Sequence, residues 1–317
     1  MRFCLKQLIQ TLTEENVVHQ FSTIPPKDQT PPSPCATIEL LVESLIGILV
    51  DIPVSNETYA LHAESITTLL VLLSVQMYSI KPASKSIIYK MIMGKKFSDK
   101  SHLLVKNLLN NFLDQIPAPR DDGGSLILGL ASGLMNVLSL GYTKTEEDPD
   151  QTAVLAKLSV WLILVLTNHF TCENNPYRDA IVTCLDSREE NVSREGKVSR
   201  DESGFRIDFC RLFVTISKVP NDDQTSLLLY ILIHRNVHFR TYVLSRTSDL
   251  DQIVIPILKI MYDCPEKSSH HVYMALILLL ILTEDTLFNE SIHDIVSIKV
   301  LLLEMIIYIT YSILSRW

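Results

Sequence analysis

Paired cysteines, an excess of positive charge and hairpin turns are the features this sequence most lacks. Its six cysteines, Cys4, Cys35, Cys172, Cys184, Cys210 and Cys264, lie far apart with no C-x-x-C pair, which argues against a disulfide scaffold or a four-cysteine zinc site. Reduced, buried thiols are the expectation. Lys and Arg number 28 against 36 Asp and Glu, a net charge of −8 and the opposite of the basic footprint that binds nucleic acid. Hairpin dipeptides are absent apart from Asp122-Gly123, which precedes a helical pattern. There is no H-E-x-x-H, no Walker pattern around Gly123-Gly124 and no nucleophile elbow. The opening MRFCLKQLIQTLTEEN has Lys6 inside its short apolar run and does not read as a signal peptide. The N-x-S/T triplets at Asn56, Asn191 and Asn289 are therefore expected to stay unglycosylated.

What the sequence does have is apolar residues in helical order. Hydrophobic residues make up 47% and the mean hydropathy is +0.21, enough for a sizeable core. Between Ser98 and Asp114, Val105, Leu108, Leu109 and Phe112 recur at helical spacing, while Lys100, Lys106, Asn107, Asn110 and Asn111 fill the other face. Similar stripes return as Phe205, Phe209, Leu212, Phe213, Ile216 and as Ile253, Val254, Ile257, Leu258, Met261. Asn221, three residues before Gln224, predicts a capping box at the head of LLLYILIHR. The fold class is all-α. Helix starts near 204 and 222 recur near 250 and 269, shifts of about 46 and 47 residues that fall in the HEAT and armadillo range. The expected architecture is an α-solenoid of stacked antiparallel helix pairs.

Thr23 to Pro34 holds five prolines and reads as an exposed linker after the first helical segment, while 142–151 and 186–203 read as polar surface loops. Val272 to Thr283 is too short to cross a bilayer and is predicted to be a fully buried core helix. Ser125 to Tyr142 is uncharged, but Gly129, Gly133 and Gly141 suit tight helix packing. The stretch Ile295 to Trp317 is the most membrane-like by length, with Lys299 and Glu304 inside it.

Candidate chemistry is sparse. His270, His271, Glu284, Asp285, His293 and Asp294 are the ligand-type side chains a fold could assemble, but adjacent histidines on a helix point about 100° apart. His169 and Cys172 share a helix face without a third ligand nearby. Helix-end hydrogen bonding and packing is the reading of both groups. No catalytic, metal-binding or cofactor-binding residue is assigned, and no cofactor is expected.

Longer stretches are more specific. Ser269 to Ile292, SHHVYMALILLLILTEDTLFNESI, and Asp223 to Arg246, DQTSLLLYILIHRNVHFRTYVLSR, resemble the dymeclin family. So do Asp51-Ile52-Pro53 with the helix Glu64 to Gln76, GLASG at 129–133, and Asn175-Pro176-Tyr177-Arg178 followed by Ala180-Ile181, all in the family's order. The first 35 residues match poorly, and Val296 to Trp317 departs from the family. The resemblance divides the chain into an N-terminal helical segment (1–22), a Pro-rich linker (23–35), a dymeclin-like helical domain (36–295) and a divergent hydrophobic C-terminal helix (296–317).

This resemblance implies a non-enzymatic helical scaffold or adaptor in the cytoplasm, associated peripherally with Golgi membranes and supporting Golgi organisation and vesicle trafficking. Its implied partners are other proteins of the Golgi and secretory pathway, with peripheral membrane contact, no nucleic acid and no small-molecule substrate. Family members are about twice as long, so the chain looks like a fragment, an alternative product or an incomplete gene model. Their myristoylation start does not carry over, because Met1 is followed by Arg2. An integral membrane protein anchored through its C-terminal hydrophobic segment is the alternative reading.

Two patches are candidates for partner binding. In Asn175, Pro176, Tyr177 and Arg178 the proline can open a helix and the arginine offers a planar donor fork, either to a partner or to a neighbouring helix. Arg240, Tyr242 and Arg246 lie on adjacent faces of one predicted helix, where they dock an acidic partner or line a buried polar network.

Overall fold

The computed structural model describes residues 2–22, 36–79, 81–119, 153–170, 174–188, 204–218, 222–263 and 268–294. The Pro-rich linker, the GLASG run, most of the two expected loops and the hydrophobic C-terminal segment lie outside the described residues. Among the described residues the chain is helical apart from one pair of two-residue strands. It divides into two compact units, Met1–Ala180 and Ile181–Trp317.

The first unit contains α1 (Arg2–Thr11), α2 (Glu14–Ser22), α3 (Ala36–Asp51), α4 (Tyr59–Leu73), α5 (Val75–Tyr78), α6 (Ile87–Ile92), α7 (Lys95–Asp114), α8 (Val154–Asn168) and most of α9 (Pro176–Val182). On α7 the predicted stripe Val105, Leu108, Leu109 and Phe112 is buried, and the helix packs on α3 and α8. The amphipathic pattern leaves α7 one apolar face to cover. Helix α8 buries Leu155, Leu158, Val160, Ile163 and Leu164, residues spread around most of its circumference, and is held between α4 and α7. Tyr59, fully buried on α4, accepts a hydrogen bond at 3.0 Å from the Leu155 N–H, one of the donors that the first turn of α8 leaves free.

The first 22 residues pack into this unit. Leu5, Ile9, Val17 and Val18 are buried, with α1 against α4 and α2 against α3. Buried Glu14 accepts from Ser86 Oγ at 2.6 Å and from the Ile88 N–H at 2.8 Å. Its carboxyl thus joins the start of α2 to the start of α6, where negative charge suits the free N–H groups.

The second unit contains strands β1 (Leu185–Asp186) and β2 (Arg206–Ile207), then α10 (Phe209–Lys218), α11 (Asp223–Arg235), α12 (Val237–Ser245), α13 (Asp251–Tyr262), α14 (Ser269–Thr283) and α15 (Thr286–Asp294). The strands pair in parallel, Leu185 with Arg206 and Asp186 with Ile207. At this crossing a Cβ on Gly204 would fall 2.4 Å from the Thr183 carbonyl oxygen, so the approach requires glycine. Asp186, expected at the edge of a surface loop, is buried, and its Oδ1 accepts from the Phe209 N–H at 3.3 Å at the head of α10. Beyond it, α10 packs on α13, α11 on α14, and α13 on α14. The predicted cap Asn221 lies outside the described residues, and Asp222 is the residue preceding α11.

Helix α14 corrects one expectation. Residues 272–283 do not form a fully buried helix: Ala275, Leu278, Ile281 and Leu282 face α11 and α13, while Tyr273 and Leu280 are each 65% exposed and Leu276 and Ile277 join them at the surface. A continuous apolar run carries no periodicity, so its pattern could not reveal that only one side is packed. The stretch Tyr59–Tyr78 alone, among the described residues, is long and apolar enough to cross a membrane as one helix, and 56% of its apolar window is buried inside the protein. The α14–α15 pair passes the same test only across a 106° bend.

The polar contacts of the first unit can be tested directly. Glu14→Ala strips the Ser86 hydroxyl and Ile88 amide of a buried partner and should lower stability by about 1–3 kcal/mol, read from the urea midpoint. The burial of His62 and His169 holds both below the ordinary histidine value, so each favours the neutral state when folded. The unfolded chain binds these protons first as pH falls. Their contribution is therefore complete above about pH 6.5 and lost as pH falls through the lower folded values. Urea midpoints should fall between pH 7.5 and pH 5.5, and His62→Leu should flatten that slope.

Candidate functional site

The motif from Asn175 to Arg178 forms a helix corner. Asn175 is fully buried ahead of α9, and its Oδ1 accepts from the Tyr177 and Arg178 N–H groups at 3.1 and 3.0 Å. Pro176 occupies the first helical position, where its missing N–H costs nothing and its fixed φ suits the helix. The Asn175 Nδ2 donates to the Leu166 and Phe170 carbonyls at 2.9 and 3.1 Å, satisfying acceptors at and just beyond the end of α8. Arg178 adds Nε to the Thr167 carbonyl at 3.1 Å and Nη2 to that of Phe170. Buried Tyr177 donates its hydroxyl to the Ile92 carbonyl at 3.2 Å. Of the two roles open to Arg178 in the sequence, the structure puts the guanidinium on a neighbouring helix end.

A second buried asparagine repeats the device in the second unit, and sequence reasoning missed it. Asn236 precedes α12, accepts from the Phe239 N–H at 2.8 Å and donates to the Ile181 and Cys184 carbonyls at 2.9 and 3.0 Å. The neighbouring Cys184 thiol is pushed up to about 12 by burial. This sulfur is therefore protonated at neutral pH and a poor nucleophile.

Arg240, Tyr242 and Arg246 fall into two settings. Arg240 reaches Glu284 Oε2 at 3.4 Å. Tyr242 stands among Phe209, Phe213 and Phe239, with ring centroids 5.7, 6.5 and 6.3 Å away. Arg246 donates to the Tyr242 hydroxyl at 2.9 Å, pairs with Asp249, and lies over the Phe213 ring at 5.3 Å. Tyr242 and Arg246 thus form an aromatic and cationic cluster, while Arg240 makes a separate ion pair at the surface.

The histidine group expected near 270–294 is divided. His271 is buried, its Nδ1 2.8 Å from Asp223 Oδ1 and its Nε2 2.9 Å from Ser226 Oγ, whereas His270 is exposed. Ser268 donates to Asp223 Oδ2 at 3.1 Å and accepts from the His271 N–H, closing the network. Glu284 is on Arg240, and Asp285 accepts from the Phe288 N–H at 2.9 Å at the head of α15. The His293 and Asp294 side chains lie outside the described residues, as does Cys172. Among the described residues no three His, Cys, Asp or Glu side chains converge as a metal site.

Carboxylate, imidazole and hydroxyl stand here in the order of a nucleophilic triad, yet Ser226 is only 4% exposed, inside the first turns of α11. Beside it is a hollow of only about 10 Å³, room for about one water molecule, lined mainly by apolar residues, among them Ile216, Leu229, Ile257 and Leu278. The network joins the N-termini of α11 and α14, and the Asp223 carboxylate sits where both helix dipoles present positive charge. The shift of about 47 residues between the helix starts read near 222 and 269 is the sequence signal that hints at this meeting; in the structure the starts, at 223 and 269, lie 46 apart.

The described chain is thus a mainly helical protein, of the all-α class, whose buried polar side chains join helix ends. The family model described as "Dymeclin: Dyggve-Melchior-Clausen syndrome protein" matches residues 1–310, and the chain belongs to the dymeclin family. It is 38% identical to dymeclin of Gallus gallus over 313 residues, 92% of this chain and 46% of that protein. It is 39% identical to dymeclin of Xenopus laevis over 275 residues, 81% and 40% of the two chains. Dymeclin of Dictyostelium discoideum is 27% identical over 330 residues, 93% of this chain and 34% of that one. The chain spans less than half the length of these relatives. No solved structure matches it. The family match takes in the first 35 residues and most of 296–317, the two ends that the sequence motifs left aside.

Asn175→Ala removes the cap of α9 and both amide donors to the end of α8, and should lower the stability of the first unit by about 2–3 kcal/mol. Measured by urea unfolding, the loss should exceed that of Arg178→Ala, whose acceptor at Phe170 keeps the Asn175 amide.

Proposed function

We propose that the chain is a non-enzymatic helical scaffold or adaptor that works in the cytoplasm at the Golgi. It associates peripherally with the membrane and supports Golgi organisation and vesicle trafficking through contacts with other secretory-pathway proteins. The observation that carries this reading is membership of the dymeclin family over residues 1–310, together with the role which the sequence resemblance implies. Engagement of Asn175, Tyr177, Arg178, Asn236 and His271 in helix-end contacts supports a structural use of the polar interior.

An α-solenoid suits that work, because stacked helix layers expose long surfaces for shallow contacts. Support comes from the second unit, where each of α10 and α11 packs on the helix three further along, α13 and α14. The starts shift from 209 to 251, which is 42 residues, and from 223 to 269, which is 46. Both shifts lie in the range of armadillo and HEAT units.

Imaging and fractionation of the tagged chain beside a version extended to family length test the proposal. Golgi localisation, with release of the protein from membranes by alkaline carbonate, is expected for at least the extended version. Retention in the carbonate pellet would favour the integral alternative, and absence of both versions from Golgi membranes would end the proposal.

A further inference from the structure

Among the described residues nothing covers the apolar outer face of α14. Tyr273, Leu276, Ile277 and Leu280 are exposed at spacings of three and four residues, a continuous apolar stripe along one face, and Leu287 on α15 is exposed as well. The opposite face carries Ala275, Leu278, Ile281 and Leu282 into the core. Helices apolar on every side belong in an interior, and a stripe of this kind marks a contact surface.

We propose that this face is the docking site of the chain's own segment Ile295–Trp317. That segment follows directly on α15, which itself packs on α14, so no spacer separates it from the stripe. Its sequence, IVSIKVLLLEMIIYITYSILSRW, has charges only at Lys299, Glu304 and Arg316. As a helix its 23 residues extend about 34 Å, more than the roughly 22 Å of the 15-residue α14, so it spans the stripe with residues to spare. The family match also runs on to residue 310, through most of this segment. One more layer packed on α14 converts an exposed apolar helix into a two-sided core helix. The inference holds whether or not the protein acts at the Golgi.

Site-resolved maleimide labelling of the full chain tests it. Leu280→Cys places a thiol in the stripe, and Val237→Cys supplies an exposed reference, the native valine being 71% exposed. Buried Cys184 reports whether the second unit stays folded, since it reacts only on opening. With the segment docked, the thiol at position 280 should react about tenfold or more slowly than the one at position 237 at every protein concentration, as expected for a site exposed only by local opening. Adding Ile306→Asp and Ile309→Asp should bring the two rates together while Cys184 remains unlabelled. Equal rates in the chain with its native C-terminal segment would overturn the proposal. So would protection that grows with protein concentration, which assigns the face to a second copy. Protection seen only with phosphatidylcholine and phosphatidylserine vesicles would overturn it too, assigning the face to a membrane.

Discussion

Each unit turns a corner on one buried asparagine. Asn175 and Asn236 cap the helix that follows them, while the amide nitrogen of Asn175 holds carbonyls at the end of the preceding α8 and that of Asn236 holds the Ile181 and Cys184 carbonyls, 55 and 52 residues back in the chain. A helix corner in the interior leaves both donors and acceptors without partners, and each such group costs about 1–3 kcal/mol if water is excluded and nothing replaces it. An asparagine carries an acceptor and two donors on one short side chain, so it can satisfy both ends of a corner at once. Packing of the flanking helices depends on it: Tyr177 reaches Ile92, and Phe239 meets Phe209 at 5.2 Å, only from helices that start at these caps.

The same constraint explains how the other polar groups are used. Glu14, Tyr59, Asp186 and His271 each meet an N–H or hydroxyl near a helix start, and the arginine of the Asn175 motif covers carbonyls at a helix end. These contacts bridge elements far apart in sequence. Glu14 to Ile88 and Tyr59 to Leu155 fix the layering of the first unit, whereas Ser226 to His271 fixes that of the second. A scaffold needs such fixed layers more than it needs a reactive group, which is the physical link between this interior and the proposed role.

Much of the helical content could be read from the chain, because stripes such as Val105, Leu108, Leu109 and Phe112 carry a 3.6-residue period that only a helix satisfies. Arg178 and Tyr177 were visible as a helix-opening motif, though their partners at Phe170 and Ile92 depend on tertiary packing. Asn236 and Glu14 carried no distinguishing local signal: an asparagine between two helical patterns and a glutamate early in a helix are common on surfaces. The α14 stripe was hidden for the opposite reason, since a run without polar residues has no face to reveal. Asp223, Ser226 and His271 come together only when two helix starts lie side by side, an arrangement the sequence hints at through spacing alone.

The most direct measurement is amide hydrogen exchange at the two corners under native conditions. If the asparagines organise the corners, the amides of Tyr177, Arg178 and Phe239 exchange only with the global opening of their units, alongside the centres of α8 and α11. Exchange at these amides near the rate of an unstructured chain, while those centres stay protected, would contradict the account.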